Sequence, residues 1–325
     1  MRRRDALRLI GAAVPAIALG SGRAFAADDN FKLAIGQRGN WENSVCDLGQ
    51  GAGIFKKHGV TLELLYTEGG GQTQQAVISG SADIGIGVGT YGVMGAFAKN
   101  APLRIIGSSM TGANDLYWYA KTDGPIKTIK DAIAKTVAYS TNGSSTNLVV
   151  LGLQKTLGIQ FKPTATGSPA STFTQVMSGQ IDVGWSSPPF AVADVDAGRI
   201  RIIARGSDVP EFANQSVRVM IANAASFEKR GEAYGRFLKA YRESLDWLYA
   251  DPAALEAYGK WAGVTPELAK RVRDEFYPKK NMDPDKVNGM DELMVDAMTY
   301  RYLPAPLSPD QMKKLVVAGV GPLAP

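Results

Sequence analysis

Ser79-Gly80-Ser81-Ala82-Asp83-Ile84-Gly85 returns about one hundred residues later as Ser178-Gly179-Gln180-Ile181-Asp182-Val183-Gly184. In both copies a helix-like run precedes a serine and a glycine, and glycine readily takes the left-handed backbone that stops a helix. A short apolar strand follows and opens onto a Gly/Ser-rich loop. The same device used twice predicts two α/β lobes. Each would present loops at the carboxyl edge of its sheet to a shared crevice, where open parallel sheets bind small molecules.

Residues 1–26 stand apart from this pattern. Arg2-Arg3-Arg4-Asp5 precedes an apolar run from Leu9 to Leu19 that contains Pro15, and Ala24-Phe25-Ala26 supplies an A-x-A cleavage site. The paired arginines with Leu7 and Leu9 behind them predict export by the twin-arginine route. The run is too short for a membrane span of about 20 residues, and a soluble mature chain is expected to start near Ala27 in a bacterial periplasm. Much of the net charge of +5 belongs to this segment, which holds five arginines and one aspartate. The remainder is close to neutral, without a Lys/Arg block or an aromatic RNA motif, which argues against nucleic acid as a partner. Cys46 is the only cysteine, so the chain has no internal disulfide and must rest on packing. One cysteine and one histidine give no ligand set for zinc, and no cofactor is expected.

From Phe31 the pattern is βαβα. Phe31-Lys32-Leu33-Ala34-Ile35 alternates as a strand, a helix is expected over residues 44–57 with His58-Gly59 closing it, and Val60, Leu62 and Leu64 mark one face of a second strand. The first copy of the repeat follows, then a strand from Ile84 to Val88, an apolar helix from Thr90 and a buried-type strand from Leu103 to Ile106. Strands separated by helices make a mainly parallel sheet. Leu116 to Ala120 reads as the passage into the second lobe, with a strand at Thr136–Tyr139, a helix over Ser144–Leu157 and the helix of the second repeat at Thr172–Ser178. Val217 to Ala222 reads as a return crossing, and the helical remainder is expected to pack on the first lobe. The predicted division is a signal segment (1–26), the first part of lobe 1 (27–113), lobe 2 (114–216), and a return to lobe 1 with C-terminal helices (217–325).

The run Gly53-Ile54-Phe55-Lys56-Lys57-His58-Gly59-Val60, then Gly69-Gly70-Gly71-Gln72-Thr73-Gln74-Gln75-Ala76, then the first repeat and Pro102-Leu103-Arg104-Ile105-Ile106, resembles the nitrate/sulfonate/taurine class of ABC-transporter substrate-binding proteins. The resemblance spans nearly the whole mature chain. It implies the type II periplasmic-binding-protein fold, two lobes joined by two crossing strands with a ligand clamped between them. It also implies an inner-membrane ABC permease as partner and a monomeric receptor. The motifs are specific for the superfamily and weak for the ligand.

Candidate contacts follow from the loops at the sheet edges. Gln37-Arg38-Gly39-Asn40-Trp41 follows the first strand. There Arg38 would hold a ligand acid group in a forked pair, beside Asn40, and Trp41 would supply a flat apolar wall; the plainer account is a solvated arginine and a packing tryptophan. Gly87-Val88-Gly89-Thr90-Tyr91 is a strand-to-helix turn whose small residues would let a ligand reach the helix start at Thr90 and Tyr91. Thr90 is equally explained as a cap. Gly85, Gly87 and Gly89 do not make a dinucleotide fingerprint, because the spacing is wrong and no acid stands about twenty positions on. In the second lobe Tyr139 to Asn147 is the counterpart, with Thr141, Ser144, Ser145 and Thr146 giving more hydroxyl groups than one cap requires, against ordinary turn chemistry. Trp185 and Ser186 follow the second repeat at a predicted cleft loop, where a core tryptophan is the competing account. Arg218 lies near the return crossing, where a buried arginine needs a partner that an anionic ligand would supply. Asp83 and Asp182, repeated in both copies, read as structural acids bonding local backbone N–H groups.

These readings converge on a periplasmic receptor that captures a small solute, leaning to an anionic, aromatic or sulfonated one, and delivers it to an importer by hinge closure. The alternative is an enzyme on the same fold, desulfinase-like or pyrimidine-synthesis-like, with Cys46 as nucleophile near a helix start. Against it, the one histidine, His58, is explained as a favourable cation at a helix C-terminus. A receptor serving a sensor or another kind of importer is the third reading.

Overall fold

A computed structural model describes residues 29–318; the expected signal segment lies outside the described residues. Strand β1 (Asp29–Gly36) leads through α1 (Trp41–Gly51) and the single turn α2 (Ile54–Lys57) to β2 (Val60–Thr67), then α3 (Gly70–Ile78), β3 (Ile84–Gly89), α4 (Thr90–Ala98) and β4 (Leu103–Met110). After β5 (Tyr117–Lys121) the same progression repeats as β6 (Thr136–Tyr139), α5 (Ser145–Leu157), β7 (Lys162–Ala165), α6 (Pro169–Met177), β8 (Gly184–Ser186), α7 (Val192–Asp196) and β9 (Ile200–Arg205). Strand β10 (Arg218–Asn223) is followed by α8 (Ala224–Lys229), α9 (Gly231–Ala250), α10 (Pro252–Ala262), α11 (Pro266–Arg271), α12 (Met290–Thr299) and α13 (Pro309–Leu315).

The two progressions build two sheets of the same order. The first runs β2-β1-β3-β10-β4. In the second, β6 pairs with β7 in parallel, β5 lies antiparallel between β8 and β9, and a parallel bridge from Val137 to Val183 joins the two sets, giving β7-β6-β8-β5-β9. In each sheet the fourth strand is the crossing strand and the antiparallel member: β10 runs against β3 and β4, and β5 against β8 and β9. The repeat motif has one job in both. Gly80 (φ 77°) and Gly179 (φ 79°) adopt the left-handed turn that ends α3 and α6. Asp83 accepts from the Lys32 backbone N–H of β1 at 2.9 Å, and Asp182 from that of Thr136 in β6 at 2.9 Å. The acids are structural, but the bond is long-range rather than local: each pins the first strand of its own sheet.

Hydrophobic faces lie on both sides of the first sheet. Phe31, Leu33 and Ile35 alternate onto one side, where Phe31 meets Tyr234 and Phe237 of α9 edge-on. Ala34 and Val88 belong to the apolar cluster of the other side, which continues into the second sheet. The helix expected over residues 44–57 is in fact two. Gly53 (φ 77°) breaks it, and α1 starts three residues earlier, at Trp41. That shift turns Trp41, Glu42 and Asn43 from loop residues into a first helical turn.

Contact between α1 and α9 is close enough to require glycine. A β-carbon at Gly49 would lie 2.0 Å from Ser244 Oγ, whereas one at Gly51 on the same helix meets nothing within 4 Å. Gly49→Ala should destabilise the protein by about 1–3 kcal/mol through overpacking, while Gly51→Ala should be neutral or stabilising by up to about 1 kcal/mol. Urea unfolding at equal m-value measures both; a Gly49→Ala protein as stable as the parent would remove the close-approach explanation.

Candidate functional site

Residues from both sheets line one buried polar cavity of about 30 Å³, room for roughly two water molecules. Three helix starts converge on it: α1 with Asn40, Glu42 and Asn43, α3 with Gly69 and Gly70, and α5 with Ser144, Ser145 and Thr146. The α5 start is shaped locally by Ser144, whose hydroxyl accepts from the Asn147 N–H at 3.2 Å, and by Thr146, whose Oγ1 accepts from the Ser140 N–H at 2.8 Å. The strand β8 contributes Trp185, and the loop after it Ser187, which bonds the Asn40 amide across the gap. Gly71 N–H likewise donates to Thr141 Oγ1 at 3.0 Å, so the two halves are fastened at the cavity rim.

Charge at the floor is set by three buried groups. Arg218, the first residue of β10, places both terminal nitrogens on Asp115 at 2.6 and 2.9 Å, and meets Glu42 Oε2 at 3.2 Å. Burial works against the guanidinium charge, and Asp115 and Glu42 outweigh it. Burial also raises the Glu42 carboxyl, partly offset by Arg218 and reinforced by Asp115, to about 7. Glu42 Oε1, Asn40 Oδ1, Asn43 Oδ1, Trp185 Nε1 and Arg218 Nε are buried without a hydrogen-bond partner within the protein. Among the described residues no cluster of three or more His, Cys, Asp or Glu could hold a metal ion.

Of the residues singled out from sequence, Asn40, Ser144, Ser145, Thr146, Trp185 and Arg218 line the cavity. The others lie elsewhere, each for a physical reason. Arg38 sits over the Trp261 ring at 4.7 Å, outside the lining, so it is no anchor for a ligand acid group there. Trp41 is fully buried against Tyr249 and Tyr258, because α1 begins at it and turns it into the core. Thr90 donates to the Ser216 carbonyl, and its N–H to that of Val217, so the α4 start is satisfied by the chain itself. Tyr91 packs on the far side, its hydroxyl within donating distance of Gln215 Oε1 (3.0 Å) and Asp296 Oδ2 (3.2 Å). Thr141 bridges the halves, and Ser186 turns its hydroxyl to the Phe190 carbonyl at 3.1 Å. Arg218 has the partner a buried arginine requires within the protein, not in a ligand. Sequence reasoning missed Glu42, Asn43, Asp115 and Ser187. The available signals were an acid one residue into a Trp-started helix, and a lone acid directly before the apolar crossing strand.

Cys46, the alternative nucleophile, is buried in the core of the first half, and burial pushes its thiol up, away from the reactive thiolate. His58 contacts Glu243 at 2.8 Å.

The fold is that of periplasmic binding proteins. Similar solved structures are the alkanesulfonate-binding protein SsuA from Xanthomonas axonopodis pv. citri bound to MOPS (TM-score 0.69, 16% identity, 85% of this chain and 92% of that one), the periplasmic aliphatic sulphonate binding protein SsuA from Escherichia coli (0.66, 20%, 87% and 91%) and the periplasmic nitrate-binding protein NrtA from Synechocystis PCC 6803 (0.68, 15%, 88% and 86%). The chain belongs to the family described as NMT1/THI5 like, whose model matches residues 48–255. A comparison with curated proteins finds no match.

Glu42 makes the site visible in a stability measurement. A carboxyl raised on folding from 4.5 to about 7 favours the folded state while protonated, and that contribution is lost as pH rises through about 7. Glu42→Gln keeps the shape without the proton, so its melting temperature relative to the parent should climb between about pH 5 and about pH 8. A difference that stays flat over that range would show that Glu42 does not titrate there.

Proposed function

We propose that this chain is a periplasmic solute receptor of an ABC importer, exported through the signal segment at residues 1–26 by the twin-arginine route and acting as a monomer. The observation that carries the reading is the joint construction of the cavity. Helices α1 and α3 of one half, and α5 with the β8 loop of the other, supply its walls, so an occupant touches both halves only when they are together. Differential contact of this kind shifts a two-lobed protein toward closure. The hinge would be the crossings at Leu116–Ala120 and Val217–Ala222, dividing the chain into lobes near residues 113 and 216. The permease would then recognise the closed shape. Asn40, Ser144, Ser145, Thr146, Trp185 and Arg218 are the proposed contacts carried forward from the sequence, joined by Glu42, Asn43 and Ser187.

The named sulfonate and nitrate receptors support a small polar solute, delivered to a membrane permease. Catalysis through Cys46 has no support from its buried, unreactive position, and the reading is of a binding protein without enzymatic turnover. No helix among the described residues is long and apolar enough to cross a membrane.

Closure depends on bare backbone at the meeting line. A β-carbon at Gly71 would lie 2.7 Å from the Asn142 carbonyl of the opposite half. A thermal-shift screen over small organic solutes identifies a stabilising one, and X-ray scattering then follows its effect. The parent should contract on adding that solute, while Gly71→Val should stay extended and bind at least about tenfold more weakly, a loss of about 1.4 kcal/mol. A radius of gyration unchanged by every stabilising solute would refute hinge closure.

A further inference from the structure

We infer that the solute this cavity takes is a small cation presenting N–H donors, of the amine or amidinium type, with Glu42 Oε1 and Asn43 Oδ1 as the receiving pair. The inference rests on the receptor reading above and names its substrate class.

Geometry fixes the Asn43 oxygen as an acceptor, and the Glu42 oxygen joins it when the carboxyl is ionised. Asn43 Nδ2 donates to the Gly36 carbonyl and, at 3.0 Å, to that of Gln37, which sets the amide orientation and leaves Oδ1 without a donor. Glu42 turns Oε2 to Arg218 and leaves Oε1 without one. The two free oxygens converge: the β-carbon position on Gly87 is 3.2 Å from Asn43 Oδ1 and 3.5 Å from Glu42 Oε1. Gly87 has φ 73° and lines the cavity, so the wall beside this pair carries no side chain. Buried acceptors without donors are costly, and more so when one carries charge. A bound N–H group relieves both at once, and a carboxylate beside an amide oxygen suits a cation.

The charge balance points the same way. Among the residues lining the cavity Arg218 is the one cation, and both its terminal nitrogens are committed to Asp115. With Glu42 ionised, the Arg218–Asp115–Glu42 cluster carries one net negative charge. A sulfonate or nitrate entering here would face that charge. The starts of α1, α3 and α5 offer partial positive charge to an anion, but at the α1 start the acidic Glu42 stands in the first turn and offsets it. Trp185 Nε1 and Arg218 Nε are unpaired donors in the same lining, so the best-fitting cation also carries one acceptor, such as a carbonyl.

The groups facing Glu42 are Arg218 of β10, Asp115 before β5, Tyr241 and Tyr249 of α9, and Tyr277 beyond α11. Burial pushes the three phenols up, so they stay neutral, and the cation must compete with a proton on Glu42. Affinity for the cation should therefore rise as pH rises through about 7.

Calorimetric titration of the intact protein with glycinamide, acetamidinium and guanidinium, against acetate, methanesulfonate and nitrate, tests this. The expected result is binding of the cations, weakened about tenfold or more in Glu42→Gln, with the pH dependence read on acetamidinium and guanidinium, which stay charged throughout, and lost in that variant. Binding of the anions and not the cations would overturn the inference while leaving the receptor reading intact, as would cation binding indifferent to both Glu42→Gln and pH. If neither set binds and the wider solute screen also finds nothing, the receptor reading falls and takes the inference with it. Circular dichroism of Glu42→Gln separates loss of binding from loss of fold.

Discussion

One buried guanidinium ties the two crossings of the chain to a wall of the cavity. Arg218 begins β10, Asp115 stands just before β5, and Glu42 lies in the first turn of α1, so three distant stretches meet in one charge cluster. Removing one partner from such a buried pair typically costs about 3–5 kcal/mol, because the other charge is left uncompensated. The cluster reaches further through the Tyr277 hydroxyl, which contacts Asp115 at 3.4 Å and the Pro188 carbonyl at 3.3 Å. Anything that alters the charge of Glu42 is therefore felt at the strands about which the two halves would turn. On the proposed reading, ligand recognition and hinge geometry would share the same few side chains.

Around that cluster the halves meet mainly through backbone. A β-carbon at Gly89 would lie 2.2 Å from the Gly143 carbonyl, one at Gly92 2.6 Å from the same oxygen, and one at Gly39 2.7 Å from the Phe190 ring. Side chains at these places would hold the sheets apart, and the glycines let one loop seat against the other. This explains why the cavity is small and why its walls are rich in helix starts and poor in long side chains. Within the glycine-rich turn at residues 85–89, which seemed from sequence to admit a ligand to the α4 start, Gly89 admits the opposite half of the protein while Gly87 lines the cavity.

The framework was legible because it rests on local rules. Gly80 and Gly179 announce left-handed stops, the apolar runs after them announce strands, and a second use of the motif announces a second sheet. The Ser144–Thr146 cluster was legible for the same reason, since a cap and its hydroxyls are neighbours in sequence. Trp41 was misplaced because the start of α1 moved by three residues, enough to rotate the tryptophan into the core, and Arg38 because the Trp261 ring that holds it lies more than two hundred residues away in sequence. The charge cluster was beyond local reading: Asp115 and Arg218 are 103 residues apart, and a sequence shows that a buried arginine needs a partner without showing which residue provides it.

The duplicated architecture offers a way to separate framework acids from site acids. Asp83 and Asp182 occupy equivalent positions and perform the same task, each holding the first strand of its sheet by a backbone N–H. Symmetry of that kind is what a structural role produces, because both halves face the same folding problem. Glu42 breaks it. Its helix, α1, follows the first strand of the first sheet, as α5 follows the first strand of the second, yet where α1 opens with Trp41-Glu42-Asn43, α5 opens with Ser145-Thr146-Asn147. One half brings a carboxyl and an amide oxygen to the cavity, and the other brings hydroxyls. For the ligand proposed above, held between two lobes of common design, the asymmetric helix starts are where the lobes offer different chemistry, whereas the repeat that built the fold offers the same in both.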